Sequence, residues 1–132
     1  MHDPAATFEA FIAAFNALDF ERFRQCLAPE VSLFAPRADG PQLIEGAAAV
    51  EAHFAAVFQA EAPAGPGIRP ARVRVTSLAA DAALVTFEFP RAHGSTGRRT
   101  LVMRRAGHEW RIAHVHASNT QERGSERPAL PS

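Results

Sequence analysis

From residue 71 to residue 118 hydrophobic and polar positions alternate almost one for one, whereas between residues 4 and 58 the apolar positions recur every three or four residues. The first regime is that of strands with one covered face, the second that of amphipathic helices. Phe8, Phe11, Ile12, Phe15 and Leu18 predict a helix over about 4–17, started by Asp3 as cap and Pro4 at the first helical position. A short second helix follows in "LDFERFRQCLAPE", capped by Asp19, with Phe20, Phe23 and Leu27 as its stripe and Pro29 as its stop. Val31 to Phe34 reads as a short strand, and "PRADGPQ" as turn chemistry. "EGAAAVEAHFAAVFQAEA" predicts a third helix with Val50, Phe54, Val57 and Phe58 on one side, ended by "PAGPG".

Four strands complete the chain: "ARVRVTSL", "AALVTFEFP", "RRTLVMRR" and "EWRIAHVHAS". Helices followed by consecutive antiparallel strands predict an α+β fold, three N-terminal helices packed in the concave face of a curved, mainly antiparallel sheet. Val73, Val75, Val85, Phe87 and Phe89 are expected to face the helices, and Leu84, Thr86 and Glu88 to face away. In the last hairpin a three-residue turn on "RAG" would pair Val102 with Trp110 and Thr100 with Ile112. Leu101, Met103, Ala113, Val115 and Ala117 then point inward, and Trp110, Ile112, His114, His116 and Ser118 outward. A turn of two or four residues would invert that assignment.

Composition narrows the function classes. At 132 residues and 47% hydrophobic content the chain is one ordinary globular domain, taken as 1–119, with the polar, proline-bearing residues 120–132 expected to be a disordered tail. Fourteen basic residues, all arginine, balance fourteen acidic ones, so no polyanion partner is indicated and nucleic acid is not expected. Neither a signal sequence nor a run of about 20 apolar residues is present, which predicts a cytoplasmic protein without a membrane partner. The lone Cys26 cannot form an intramolecular disulfide and reads as a small buried hydrophobe.

Two histidine groups carry the candidate chemistry. His114 and His116 project from one strand face about 6–7 Å apart, close enough for two ligands of one metal, but a third ligand would have to be Glu88. The plainer expectation is no metal, with both imidazoles hydrogen-bonded at a covered surface. His53 lies three residues after Val50 and four before Val57, within the apolar stripe of the third helix. It is the candidate acid/base or ligand-orienting group, against the alternative of a stripe-edge histidine reaching solvent. Arg105 and Arg111 are candidates for the mouth of a pocket or solvated strand-end charges, and Asp39 and Glu45 precede the third helix, Glu45 as a cap-region charge.

The strings "FNALDFERFRQCLAPEVSLFAP", "LIEG" and "TLVMRRAGHEWRIAHVHAS" resemble the nuclear transport factor 2-like, or SnoaL-like, superfamily. Within it the chain is most similar to stand-alone bacterial relatives of the calcium/calmodulin-dependent kinase II association domain. That resemblance, over residues 5–119, implies a cone with a pocket between helices and sheet. It also implies a homodimer or larger ring built through the outer sheet face, here Thr86, Glu88, Val102, Trp110, Ile112, His114, His116 and Ser118. The association domain's pocket is polar, but the matching positions hold Phe23, Val50, Phe89, Leu101 and Ala117. With Phe15, Phe34, His53, Phe54, Phe87, Met103 and Val115 they make the expected pocket wall. The chain has no tyrosine, so the tyrosine-based oxyanion arrangement of ketosteroid-isomerase-like members is not available. The resulting expectation is a homodimeric module binding a small, largely apolar molecule without a cofactor. The alternatives are an isomerase, dehydratase or cyclase using His53 as acid/base, and an oligomerisation module without a ligand.

Overall fold

The computed structural model describes residues 2–36, 43–61 and 67–120. Helix α1 (Pro4–Asn16) starts where Asp3 and Pro4 place it, the Asp3 carboxylate accepting from the Ala6 amide at 2.7 Å. Helix α2 (Phe20–Arg24) is capped by Asp19. It is shorter than its apolar stripe suggests, because Leu27 and Pro29 already belong to strand β1 (Leu27–Phe34). Strand β2 (Leu43–Glu45), unforeseen in the sequence pattern, pairs with β1 and contains Glu45; Gly46, at φ +92°, then turns the chain into helix α3 (Ala47–Glu61). Strands β3 (Ala71–Ala79), β4 (Ala82–Pro90), β5 (Thr96–Ala106) and β6 (Glu109–Asn119) follow. Asp39 and the expected tail from residue 121 onward lie outside the described residues.

These strands form one sheet in the order β2-β1-β6-β5-β4-β3, antiparallel except for the β1–β6 pair. Three helices thus pack against a six-stranded, mostly antiparallel sheet, as the alternation predicts. Helix α1 lies on β6 and β4, and α3 on β1 and β2. Phe23 is the centre of the helix layer: fully enclosed, it meets the rings of Phe11, Phe54 and Phe58 at 4.8, 4.9 and 5.0 Å. Burial of such a side chain contributes about 1.5–3 kcal/mol, so this cluster is a main tie between the three helices.

The hinge of the architecture is the β5–β6 hairpin. Its turn is two residues, Gly107 and His108, with Ala106 opposite Glu109 and Gly107 at φ +65°. This is one residue shorter than expected, and it sets Met103 opposite Ile112. A bulge then absorbs Ala113, so that Val102 faces His114 and Leu101 faces Val115. The extra residue exchanges the two faces in the middle of β6. Trp110 and Ile112 therefore point at the helices, together with Val115 and Ala117, and all four are buried. The expectation that Trp110 and Ile112 share the outer face with His114, His116 and Ser118 is corrected by this bulge, while the outward placement of the latter three stands.

Strand β3 departs from expectation in another way. Val75 is opposite Val85, on the helix side of the sheet, yet Val73 and Val75 are 42% and 45% exposed. The helix layer is centred on the other strands, and every residue of β3 is exposed. No described helix is long and apolar enough to cross a membrane.

The buried Thr7 hydroxyl donates to the Trp110 carbonyl at 2.9 Å and so fastens α1 beside the bulge. Thr7→Val keeps the shape and removes the donor. It is expected to cost about 1–3 kcal/mol in denaturant unfolding; an unchanged midpoint would show that this bond holds nothing in place.

Candidate functional site

Between the helix layer and the sheet lies a cavity of about 770 Å³, opening past Pro36, the 67–69 segment and the β4–β5 connection. Its wall is laid mainly by the inward positions of five elements: Phe11 and Phe15 from α1, His53, Phe54 and Val57 from α3, Phe87 and Phe89 from β4, and Leu101, Val115 and Ala117 from β5 and β6. Asn16, the last residue of α1, holds one side of the mouth. Its side chain donates to the Ile68 carbonyl at 2.9 Å and accepts from the Ile68 amide at 2.6 Å.

Eight expected wall residues are brought together here: Phe15, His53, Phe54, Phe87, Phe89, Leu101, Val115 and Ala117. Phe23, Val50 and Met103 are not among them, because each is wholly enclosed in packed core. Phe34 belongs to the opposite side of the sheet. Opposite His116 in the parallel β1–β6 register and 37% exposed, it packs its ring 5.5 Å from His114 and 5.3 Å from His116. His53 sits in the wall, half-buried, edge-on to Phe54 at 5.3 Å.

The wall also holds charge that the sequence pattern did not bring out. Arg99 follows the same alternation as Leu101 and Met103, and in the cross-strand row it lies between Phe87 and Ala117. Its Nη1 donates to the Ser118 and Arg98 carbonyls at 2.9 Å and to Asn119 Oδ1 at 3.1 Å. The guanidinium carbon is 4.8 Å from the centroid of the Phe89 ring, a cation–π contact. Burial pushes this guanidinium down to about 10, with repulsion from Arg91 as the second cause, so it still carries its charge at neutral pH. Arg69 and Arg91 stand exposed at the mouth, Arg91 donating to Ser95 Oγ at 3.1 Å. Arg105 instead donates to the Ala80 and Gly107 carbonyls at the hairpin end, and Arg111 sits opposite Arg104 there, so neither reaches the cavity.

The outer face carries a separate polar group. Ser32 Oγ and His114 Nδ1 are 2.7 Å apart; burial, then the His116 charge, lower the His114 imidazole below its ordinary value. Beside them is a shallow depression of about 490 Å³ with Arg74, Arg98, Thr100, His116 and Ser118 on its walls. Glu88, the third ligand a metal would need, pairs with Arg72 at 3.2 Å. Among the described residues no three His, Cys, Asp or Glu side chains are grouped to hold a metal ion. Cys26 lies in the turn between α2 and β1 rather than in a helix. It is buried, and burial pushes its thiol up to about 11, which suppresses the reactive thiolate.

The family model of the SnoaL-like domain matches residues 5–122. The chain belongs to the SnoaL-like domain family. No curated protein matches this SnoaL-like chain. Among solved structures, an NTF2-like protein of unknown function from Pseudomonas putida superposes with a TM-score of 0.75 at 18% identity, over 97% of this chain and 92% of that one. A provisionally assigned dehydratase of the NTF2-like family from Streptomyces avermitilis gives 0.70 at 22% identity, over 88% and 93%. A provisionally assigned calcium/calmodulin-dependent protein kinase type II association domain from Thiobacillus denitrificans gives 0.68 at 27% identity, over 89% and 95%.

Gly97 lies opposite Phe89 across β4–β5, and a Cβ there would overlap the ring, with Cε1 at 2.6 Å. The bare glycine thus lets Phe89 lie flat beneath Arg99. Gly97→Ala is expected to cost about 1–3 kcal/mol in denaturant unfolding, since an overfilled site must shift the ring. A neutral result would mean that the ring has room elsewhere.

Proposed function

We propose that this SnoaL-like domain is a binding module that takes a small, largely apolar molecule into the cone between its helices and sheet, and that it works as a homodimer. The observation that carries the first part is the cavity itself. About 770 Å³ is in the range of ligand sites, and apolar side chains from two helices and three strands converge on it with few polar groups. A proton-transfer role for His53 is favoured only by its place in the wall. The charged groups described there are arginines, which bind anions but do not exchange protons near neutral pH, so binding is the better-supported reading. Filling the cavity tests it. A neutral fluorophore such as N-phenyl-1-naphthylamine should brighten on binding the native protein, and Ala117→Phe, which places a ring in the wall, should weaken that binding about tenfold or more through lost volume. No brightening with the native protein would defeat the reading.

The homodimer is supported by the character of the outer face. Phe34 and Leu43 are exposed there beside half-buried Leu84, Val102 and His114, a mixed apolar and polar surface of the kind that subunits cover. Thr86, Glu88, Val102, His114, His116 and Ser118 remain its proposed members. Phe34→Glu with His116→Glu sets like charges against their copies across a two-fold axis. Sedimentation at micromolar concentration should then show a monomer that still binds the fluorophore; a native monomer would overturn the assignment.

A further inference from the structure

Arg99 adds a chemical class to the proposed function, a step that rests on the cavity being a ligand site. Of the five N–H donors in a guanidinium, the two on Nη1 are committed to neutral acceptors at the end of β6: the Ser118 carbonyl, the Asn119 side chain and the carbonyl of Arg98. The remaining edge, Nε with Nη2, makes no hydrogen bond among the described residues, and it is the edge that grips a planar two-oxygen anion side-on. The group is not free to swing away, since Nη1 is tied on one side and the Phe89 ring supports its plane at 4.8 Å.

The surroundings want an anion as well. The whole chain balances fourteen basic against fourteen acidic residues, yet the described wall of the cavity holds Arg69, Arg91 and Arg99 and no carboxylate. A half-buried cation without a counter-ion is costly, and a ligand that supplies the opposite charge removes that cost. Only Arg99 of the three cations is drawn into the wall, half-buried; Arg69 and Arg91 are exposed. One half-buried positive charge matches one negative charge, whereas a phosphate dianion would carry a second charge out of water. The apolar wall beyond Arg99, from Leu101 and Val115 to Phe15 and Phe54, suits a hydrocarbon body.

We infer that the cavity recognises a monocarboxylate with an apolar body, its carboxylate on the Nε/Nη2 edge of Arg99 and its body along Phe15, Phe54, Leu101 and Val115. The test is displacement of bound N-phenyl-1-naphthylamine by decanoate, kept below its micelle concentration, and by decan-1-ol. The native protein should prefer the acid about 10- to 100-fold, the range for a charge-assisted pair. Raising salt should weaken the acid and leave the alcohol unchanged. Arg99→Met should reduce the preference to about threefold or less with the alcohol unaffected, and Arg99→Lys should restore it only in part, because a point charge lacks the fork. The acid-to-alcohol ratio of the native protein needs no variant, so a poorly folding Arg99→Met would leave the test intact. Equal displacement by acid and alcohol, or a preference that survives Arg99→Met, would overturn the inference while leaving the cavity as a ligand site. Failure of the neutral fluorophore to bind would remove both.

Discussion

Everything in this domain depends on the single extra residue at Ala113. A strand has a strict period of two, so without an insertion Trp110, Ile112, His114 and His116 would share one face and Val115 and Ala117 the other. The helix layer would then find either the front half of β6 polar or the back half polar. By absorbing Ala113 outside the ladder, β6 turns two pairs of apolar side chains to the same side, Trp110 and Ile112 before the bulge and Val115 and Ala117 after it. The first pair anchors the core near α1, where Thr7 donates to the Trp110 carbonyl, and the second forms the floor of the cavity. The same exchange releases His114 and His116 to the outer face.

Much of the fold was legible because its period is. The caps and stripe of α1 and the limits of β4 follow from Asp3, Pro4 and the alternation of Val85, Phe87 and Phe89. The β5–β6 hairpin differs from its pattern twice, in turn length and in the bulge. The two differences cancel from His114 onward and leave only Trp110 and Ile112 on the face opposite to the expected one. No local pattern marks a bulge at an alanine between two good strand formers; it is chosen by the helices that need Trp110 and Ile112 beneath them. Phe34 departs for a related reason, since in the parallel β1–β6 pair its face is set by its opposition to His116 rather than by its hydrophobicity. The exposure of Val73 and Val75 comes from how far the helices reach, which strand alternation does not encode.

Arg99 was legible by position and hidden by its charge. It stands two residues before Leu101 and four before Met103, on the face that alternation turns inward, and its charge argued for solvent where its parity argued for the cavity. Parity prevails because the desolvation cost is shared out. Neutral oxygens take the Nη1 donors, the quadrupole of the Phe89 ring meets the cation, and the cavity keeps the rest of the group near water or ligand. Gly97 makes the ring's position possible by offering no side chain beneath it.

The end of β6 completes that arrangement. Ser118 and Asn119 supply acceptors to Arg99 only if the last turn of the strand is held, and the holding groups are in the residues just beyond. Thr120, which composition assigned to the tail, donates its amide to the Thr96 carbonyl at 2.9 Å, accepts from the Thr96 amide at 2.8 Å through its hydroxyl, and accepts at its carbonyl from the buried Ser95 hydroxyl. Ser95 in turn accepts from Arg91. A continuous set of hydrogen bonds therefore runs from the exposed arginine at the mouth, through Ser95 and Thr120, to the strand end that positions the half-buried one. Each of these groups is polar and ordinary in sequence. Their joint effect is to make the cation at the cavity wall a fixed feature of the fold rather than a side chain that happens to point inward.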